Sequence, residues 1–177
     1  MATLVPEDWF FAARKLLVAK GPQNVNMREL SKLLGVSTGS FYHHFSNRGD
    51  FVVRLLAHWG EETERAVNDV PSTKGNSLDE INKNIDHLLD HRLESALRAW
   101  GVFDPSVAAQ ITRVDDKRRR SIAKLYETRL SKRDARNLAD LHLCAFAGAQ
   151  FMFSEQPKEL KRFGKFVNAC AQRLSEQ

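Results

Sequence analysis

Apolar residues recur at helical spacing along nearly the whole chain, and strict apolar–polar alternation never persists beyond a few residues. Phe10, Ala13 and Leu17 fall at i, i+3 and i+7, and Gly21-Pro22 stops the helix they define. Met27, Leu30 and Leu34 mark a short second helix. Asn26 stands before it and Glu29 three residues later, a capping-box variant in which each side chain satisfies the other's free backbone donor. Gly35 ends that helix as a residue free to turn left-handed, and Ser37 offers an N-cap for a third helix running to about Phe45. A fourth starts between Asn47 and Asp50 and continues through Phe51, Leu55, Trp59 and Ala66 to Val70. Pro71-Ser72-Thr73-Lys74-Gly75-Asn76 is rich in turn residues and reads as a linker.

Beyond the linker, Ser77 caps a long helix whose apolar stripe runs through Leu78, Ile81, Ile85, Leu88, the aliphatic stem of Arg92, Ala96 and Ala99. Asp104-Pro105 opens a short helix, since proline is comfortable in a first turn. Helices over Val114 to Leu130 and Arg133 to Phe153 follow, and Pro157 starts a last one through Phe163, Phe166, Val167, Cys170 and Leu174. The pattern predicts an all-α fold of about nine helices. Three parts are expected: an N-terminal helix-turn-helix domain over 1–50, a connecting helix and linker over 51–76, and a helical domain over 77–177.

Residues 27–45 carry the chemistry. Two short helices joined through Gly35-Val36-Ser37 form the helix-turn-helix arrangement, whose second helix enters the major groove of DNA. Leu30 with Leu33 or Leu34 must bury against the second helix, Val36 must plug the gap, and Phe41 and Phe45 must face inward. That leaves Ser37, Thr38, Ser40, Tyr42, His43 and His44 outward, a set of hydrogen-bonding groups. Gly39 lets backbone approach a phosphate or groove wall closely, and the helix N-terminus adds free N–H groups. Thr38, Ser40, Tyr42 and His43 are expected near base edges or neighbouring phosphates. Ser37, His44 and Arg48 are expected at phosphates, and Arg28 at either.

The charge distribution agrees only in part. The 177 residues carry a net charge of +5, which favours a polyanionic partner weakly. Residues 1–56 hold seven bases and four acids, 77–116 eight acids and four bases, and 117–136 nine bases and two acids. The last run reads as a solvated helix face, or as a partner for the acidic stretch before it.

The same N-terminal segment resembles the tetracycline-repressor-like (TetR) transcriptional regulators. The resemblance rests on Ala13-x-x-x-Leu17-x-x-x-Gly21 and on Leu30-Ser31-x-x-Leu34-Gly35-Val36-Ser37-Thr38-Gly39-Ser40-Phe41-Tyr42-His43-His44-Phe45-Ser46-Asn47-Arg48. It covers roughly the first 56 residues. Arg48 stands at the family's usual lysine and keeps its charge. Ser31 stands where alanine is commoner, and Gly49 where an acidic residue is common. Arg98 to Ala108 with Val114-Asp115-x-x-Arg118 is similar, less specifically, to the family's ligand and dimerisation domains. The resemblance implies a homodimer formed through the last two helices (about 133–175), double-stranded DNA as partner, and a repressor that answers a small-molecule effector. The alternative is a helical adaptor that keeps the fold without an effector response.

Trp59, Trp100, Phe103 and Phe146, with Phe151 and Phe153, are large enough to line an apolar effector pocket or to form core. His87 and His91 sit at i, i+4 near Asp90 and Glu94, but no third well-spaced ligand or HExxH pattern accompanies them, so no metal is expected. With no P-loop, dinucleotide glycine pattern or nucleophile elbow, neither cofactor nor enzymatic activity is expected. Cys144 and Cys170 are isolated and read as buried, reduced thiols of a cytoplasmic protein without a secretory signal or membrane span.

Overall fold

A computed structural model describes residues 4–68, 90–127 and 130–175. Among them the chain is helical and contains no strand. The elements are α1 (Pro6–Lys20), a 3-10 turn (Pro22–Asn24), α2 (Met27–Leu34), α3 (Thr38–Tyr42), α4 (Arg48–Asn68), α5 (His91–Gly101), α6 (Pro105–Tyr126), α7 (Lys132–Met152) and α8 (Pro157–Ser175). The linker expected at 71–76 and the helix start expected at Ser77, with Leu78, Ile81, Ile85 and Leu88, lie outside the described residues.

The boundaries follow local chemistry. Gly21 ends α1 at φ 81°, donating its N–H to Leu17 O at 2.9 Å. Asn26 Oδ1 accepts from Glu29 N–H at 3.1 Å and starts α2. Asn47 Oδ1 accepts from Asp50 N–H at 3.0 Å, and Asp50 Oδ2 accepts from Ser46 N–H at 2.9 Å, a reciprocal cap on α4. Ser131 Oγ accepts from Asp134 N–H at 3.2 Å and opens α7.

One expectation is corrected here. The short helix at Asp104-Pro105 and the helix from Val114 are one element, the 22-residue α6. Asp104 caps it, accepting from Ser106 N–H at 3.0 Å and from the Ser106 hydroxyl at 2.6 Å. That hydroxyl bond holds the Asp104 carboxyl below its ordinary value. The inward stripe of α6 is Val107, Ile111, Val114 and Arg118, so a buried arginine occupies a position where apolar spacing expects a hydrocarbon.

The chain packs as two units, Met1–Trp59 with Ala96–Ile111, and Gly60–Ser95 with Thr112–Gln177. In the first, an aromatic cluster forms the core. Phe45 sits at its centre, with ring centroids 4.9 Å from Phe51, 5.0 Å from Phe41, 5.8 Å from Phe10 and 6.3 Å from Trp9. Burying rings of this size supplies most of the hydrophobic stabilisation a small helical domain can gather.

In the second unit, small residues let α6, α7 and α8 approach closely around Ala123, Tyr126, Ala135, Leu138, Ala139 and Ala171. Buried polar groups punctuate it, two sets of them paired across helices. Arg118 forms a fork on Glu94, Nη2 to Oε1 at 2.6 Å and Nη1 to Oε2 at 3.0 Å, and Nη2 also donates to Thr63 Oγ1 at 3.3 Å. The second set is Tyr126 Oη, 3.2 Å from His142 Nδ1.

Burial pushes the Tyr126 phenol up to about 12 and the His142 imidazole down from its usual 6.5. Both groups are thereby held neutral in the fold. The sign for His142 follows directly. Its folded affinity for a proton is the weaker one, so its contribution is present above pH 6.5 and is lost as pH falls below that value. The melting temperature should therefore drop between about pH 7 and 5, and His142→Gln should flatten that part of the profile. An equally steep profile in the variant would remove His142 as the cause.

Candidate nucleic-acid interface

The helix-turn-helix is built on one left-handed residue. Gly35 adopts φ 68°, ψ 31° after α2, and Val36 N–H donates to Ser31 O at 3.0 Å, closing the helix end. A side chain at that φ is disfavoured whatever the space around it. The turn aims α3 so that Phe41 enters the core, edge-on to Trp9 at 5.4 Å. Leu30 is fully buried and Leu34 half-buried, whereas Leu33 is half exposed and takes no part in the α2 packing face. Ser31, at 2% exposed, carries a hydroxyl with no hydrogen-bond partner among the described residues.

With Phe41 fixed inward, α3 turns its other side to solvent. Ser37, Thr38, Gly39, Tyr42 and His43 are exposed, Tyr42 to 57%, while Ser40 and His44 are half-buried. The α3 helix stops at Tyr42, three residues short of the expected end, and His43 and His44 follow as a turn. Arg28 is exposed on the first turn of α2. A Cβ at Gly39 would meet only Ser37 Oγ, at an ordinary 3.6 Å. No neighbour within the fold requires glycine there.

Two expected phosphate contacts are partly tied to the protein. His44 lies 6.3 Å from the Trp9 ring, and its carbonyl accepts from Arg54 Nη1 at 2.6 Å. Arg48 is exposed, yet its Nε donates to Val25 O at 3.3 Å and its guanidinium stands 5.8 Å from the Trp100 ring centroid. Arg54, which also lies 4.9 Å over Phe45, was not singled out from the sequence; its spacing of ten residues from His44 carries no local signal. Trp9 was missed as well, being one position off the counted stripe, though it is fully buried.

The remaining candidates are divided between the two units. Trp59 and Trp100 are buried in the first unit, and Phe146 is half-buried in the second, 6.1 Å from the His91 ring. Phe103 is 86% exposed on the turn between α5 and α6, where a pocket-lining role would require it to be enclosed. His91 Nδ1 is 3.2 Å from Gln150 Nε2, and His87 lies outside the described residues. No group of three potential metal ligands occurs among the described residues. A crevice between α4 and α6, lined by Gly60, Thr63, Val114, Lys117, Arg118 and Ser121, measures about 20 Å³, room for a single water. The buried-thiol expectation is corrected: Cys144 is exposed, sharing the outer face of α7 with Leu141 and Gly148, and Cys170 is half-buried.

Residues 11–55, spanning most of α1 through the first turns of α4, match the family model for bacterial regulatory proteins of the tetR family. Over these residues the chain is similar to the tetR family; the match covers the helix-turn-helix domain and no more. No curated protein matches the chain. Among solved structures, a transcriptional regulator from Rhodococcus sp. Rha1 is similar with a TM-score of 0.81 at 17% identity, over 96% of this chain and 97% of that one. A TetR transcriptional regulator from Legionella pneumophila gives 0.80 at 13% identity, over 98% of both chains. A protein from Saccharomonospora viridis in complex with choline gives 0.73 at 15% identity, over 93% of both. At such identities the likeness is one of fold. No described helix is long and apolar enough to cross a membrane.

Proposed function

We propose that the chain is a homodimeric, ligand-responsive repressor, with residues 1–50 binding a near-palindromic operator and 77–177 holding the effector and the dimer contact. The observation that carries this reading is the division of α3 between an inward Phe41 and an outward Thr38, Tyr42 and His43. Thr38, Ser40, Tyr42 and His43 are assigned to base edges and nearby phosphates, with Gly39 giving close approach. Ser37, His44, Arg48 and Arg28 are assigned to the sugar-phosphate backbone, which supplies affinity without sequence information.

Dimerisation through α7 and α8 is supported by apolar side chains left in solvent: Leu141, Phe151 and Met152 on α7 and Phe166 on α8. Apolar surface of this kind is what a subunit contact covers. The effector is a small molecule, a reading supported by the choline held in the Saccharomonospora viridis protein. The ligand favours a conformer whose recognition helices are spaced wrongly for the operator. The α4 helix contributes to both units and so carries the shift, worth about 1–3 kcal/mol of coupling.

Selection of genomic fragments bound by the purified protein tests this. A site with inverted half-sites about one helical turn apart, or a multiple of it, is expected. Fragments sharing no symmetric sequence would contradict the dimeric operator reading.

A further inference from the structure

The outer face of α6 carries a row of cations that the helix-turn-helix does not use. Arg113, Lys117, Arg120 and Lys124 follow at i, i+4, i+7 and i+11, and all four are exposed. At 3.6 residues per turn they fall within about 60° of arc and along roughly 16 Å of helix. Ile111, Val114 and Arg118 face the opposite way, into the protein. Lys117 Nζ meets Glu64 Oε2 at 2.6 Å, while Arg113, Arg120 and Lys124 have no carboxylate partner among the described residues. Their neighbours Arg118 and Arg119 do: Arg118 pairs with Glu94, and Arg119 with Asp116 and Asp140. Like charges at these spacings weaken a helix unless something neutralises them.

The composition of the row narrows what that something is. It continues N-terminally through Ala109 and Ser106, so no aromatic or large apolar side chain stands in it. A membrane surface would call for apolar residues to insert, a folded protein partner for an aromatic or aliphatic anchor, and a single strand of nucleic acid for rings on which bases stack. The phosphate backbone of duplex DNA calls for cations alone. With a charge every 3.4 Å per strand, about five phosphates lie along the length of the row.

We propose that the outer face of α6 is a second phosphate-binding surface, holding duplex DNA without reading its sequence. The proposal rests on the reading of this chain as a DNA-binding protein, and a separate variant keeps the two apart. The test is fluorescence anisotropy of the full chain on a random-sequence duplex, across about 50–200 mM salt. Arg113→Ala/Arg120→Ala/Lys124→Ala should make the slope of log affinity against log salt shallower by about 2 to 3. Alanine at exposed helix positions strengthens α6, so lost folding does not enter. Arg113→Lys/Arg120→Lys, which keeps the charge, should retain the wild-type slope. An unchanged slope in the alanine variant, a lost one in the lysine variant, or equally effective competition by polyglutamate of matched charge would overturn the proposal, the last in favour of an acidic protein partner. Thr38→Ala/Tyr42→Ala/His43→Ala measured on a selected operator reports on the helix-turn-helix alone, so each reading fails independently.

Discussion

Glu94→Ala is expected to destabilise the protein by about 3–5 kcal/mol in chemical denaturation followed by circular dichroism. Glu94 is 1% exposed and Arg118 6% exposed, and the two form a two-pronged contact in the second unit. Removing the carboxylate leaves a guanidinium out of water, with Thr63 Oγ1 at 3.3 Å and the Asp115 carboxylate at 3.5 Å among its remaining partners. The Asp115 contact places the cost toward the lower end of that range. Its origin is specific, because an intact buried pair contributes little beyond its own desolvation, whereas a broken pair strands a charge. The double variant Glu94→Ala/Arg118→Met should therefore recover much of the loss. A single variant costing under about 1 kcal/mol, or a double variant costing the sum of the two singles, would show that the two side chains are not coupled as a buried pair.

Phe45→Ala should cost a similar amount, about 3–5 kcal/mol, through a different mechanism. Its ring touches Phe10, Phe41 and Phe51 within 6 Å and Trp9 just beyond, and the alanine leaves a cavity that four rigid rings cannot close. Tyr42→Ala, three residues away, is the matched contrast. With Tyr42 57% exposed, its truncation should leave stability within about 0.5 kcal/mol while weakening DNA binding. Thermal melts of the two variants beside their DNA titrations separate core from interface. A Tyr42→Ala protein as unstable as Phe45→Ala would mean that Tyr42 belongs to the packing.

The helical punctuation of the first fifty residues was legible because it is local. A glycine at φ 68°, an asparagine accepting from the third residue on, and apolar residues at i, i+3 and i+4 act within one or two turns. Phe41 and Phe45 read inward for the same reason, and the polar face of α3 is what remains. Reading failed where a residue's partner is distant in sequence. The break expected before Val114 does not occur, and Arg118 sits on the apolar stripe of α6 because Glu94, 24 residues earlier, neutralises it. Leu33, Phe103 and Cys144 carry the hydrophobicity of core residues but stand in solvent, and composition has no term for direction. Arg48 combined both difficulties: its charge was evident, while its bond to Val25 and its place against Trp100 depend on how the unit folds.

The most direct measurement of the central claim is the affinity of the full chain for its selected operator before and after Thr38→Ala/Tyr42→Ala/His43→Ala. These side chains are exposed, so the variant should fold with wild-type helicity yet bind on the order of 100-fold more weakly and lose discrimination against random duplex. A folded variant that binds the operator as tightly as the wild type would contradict the assignment of α3 as the element that reads DNA.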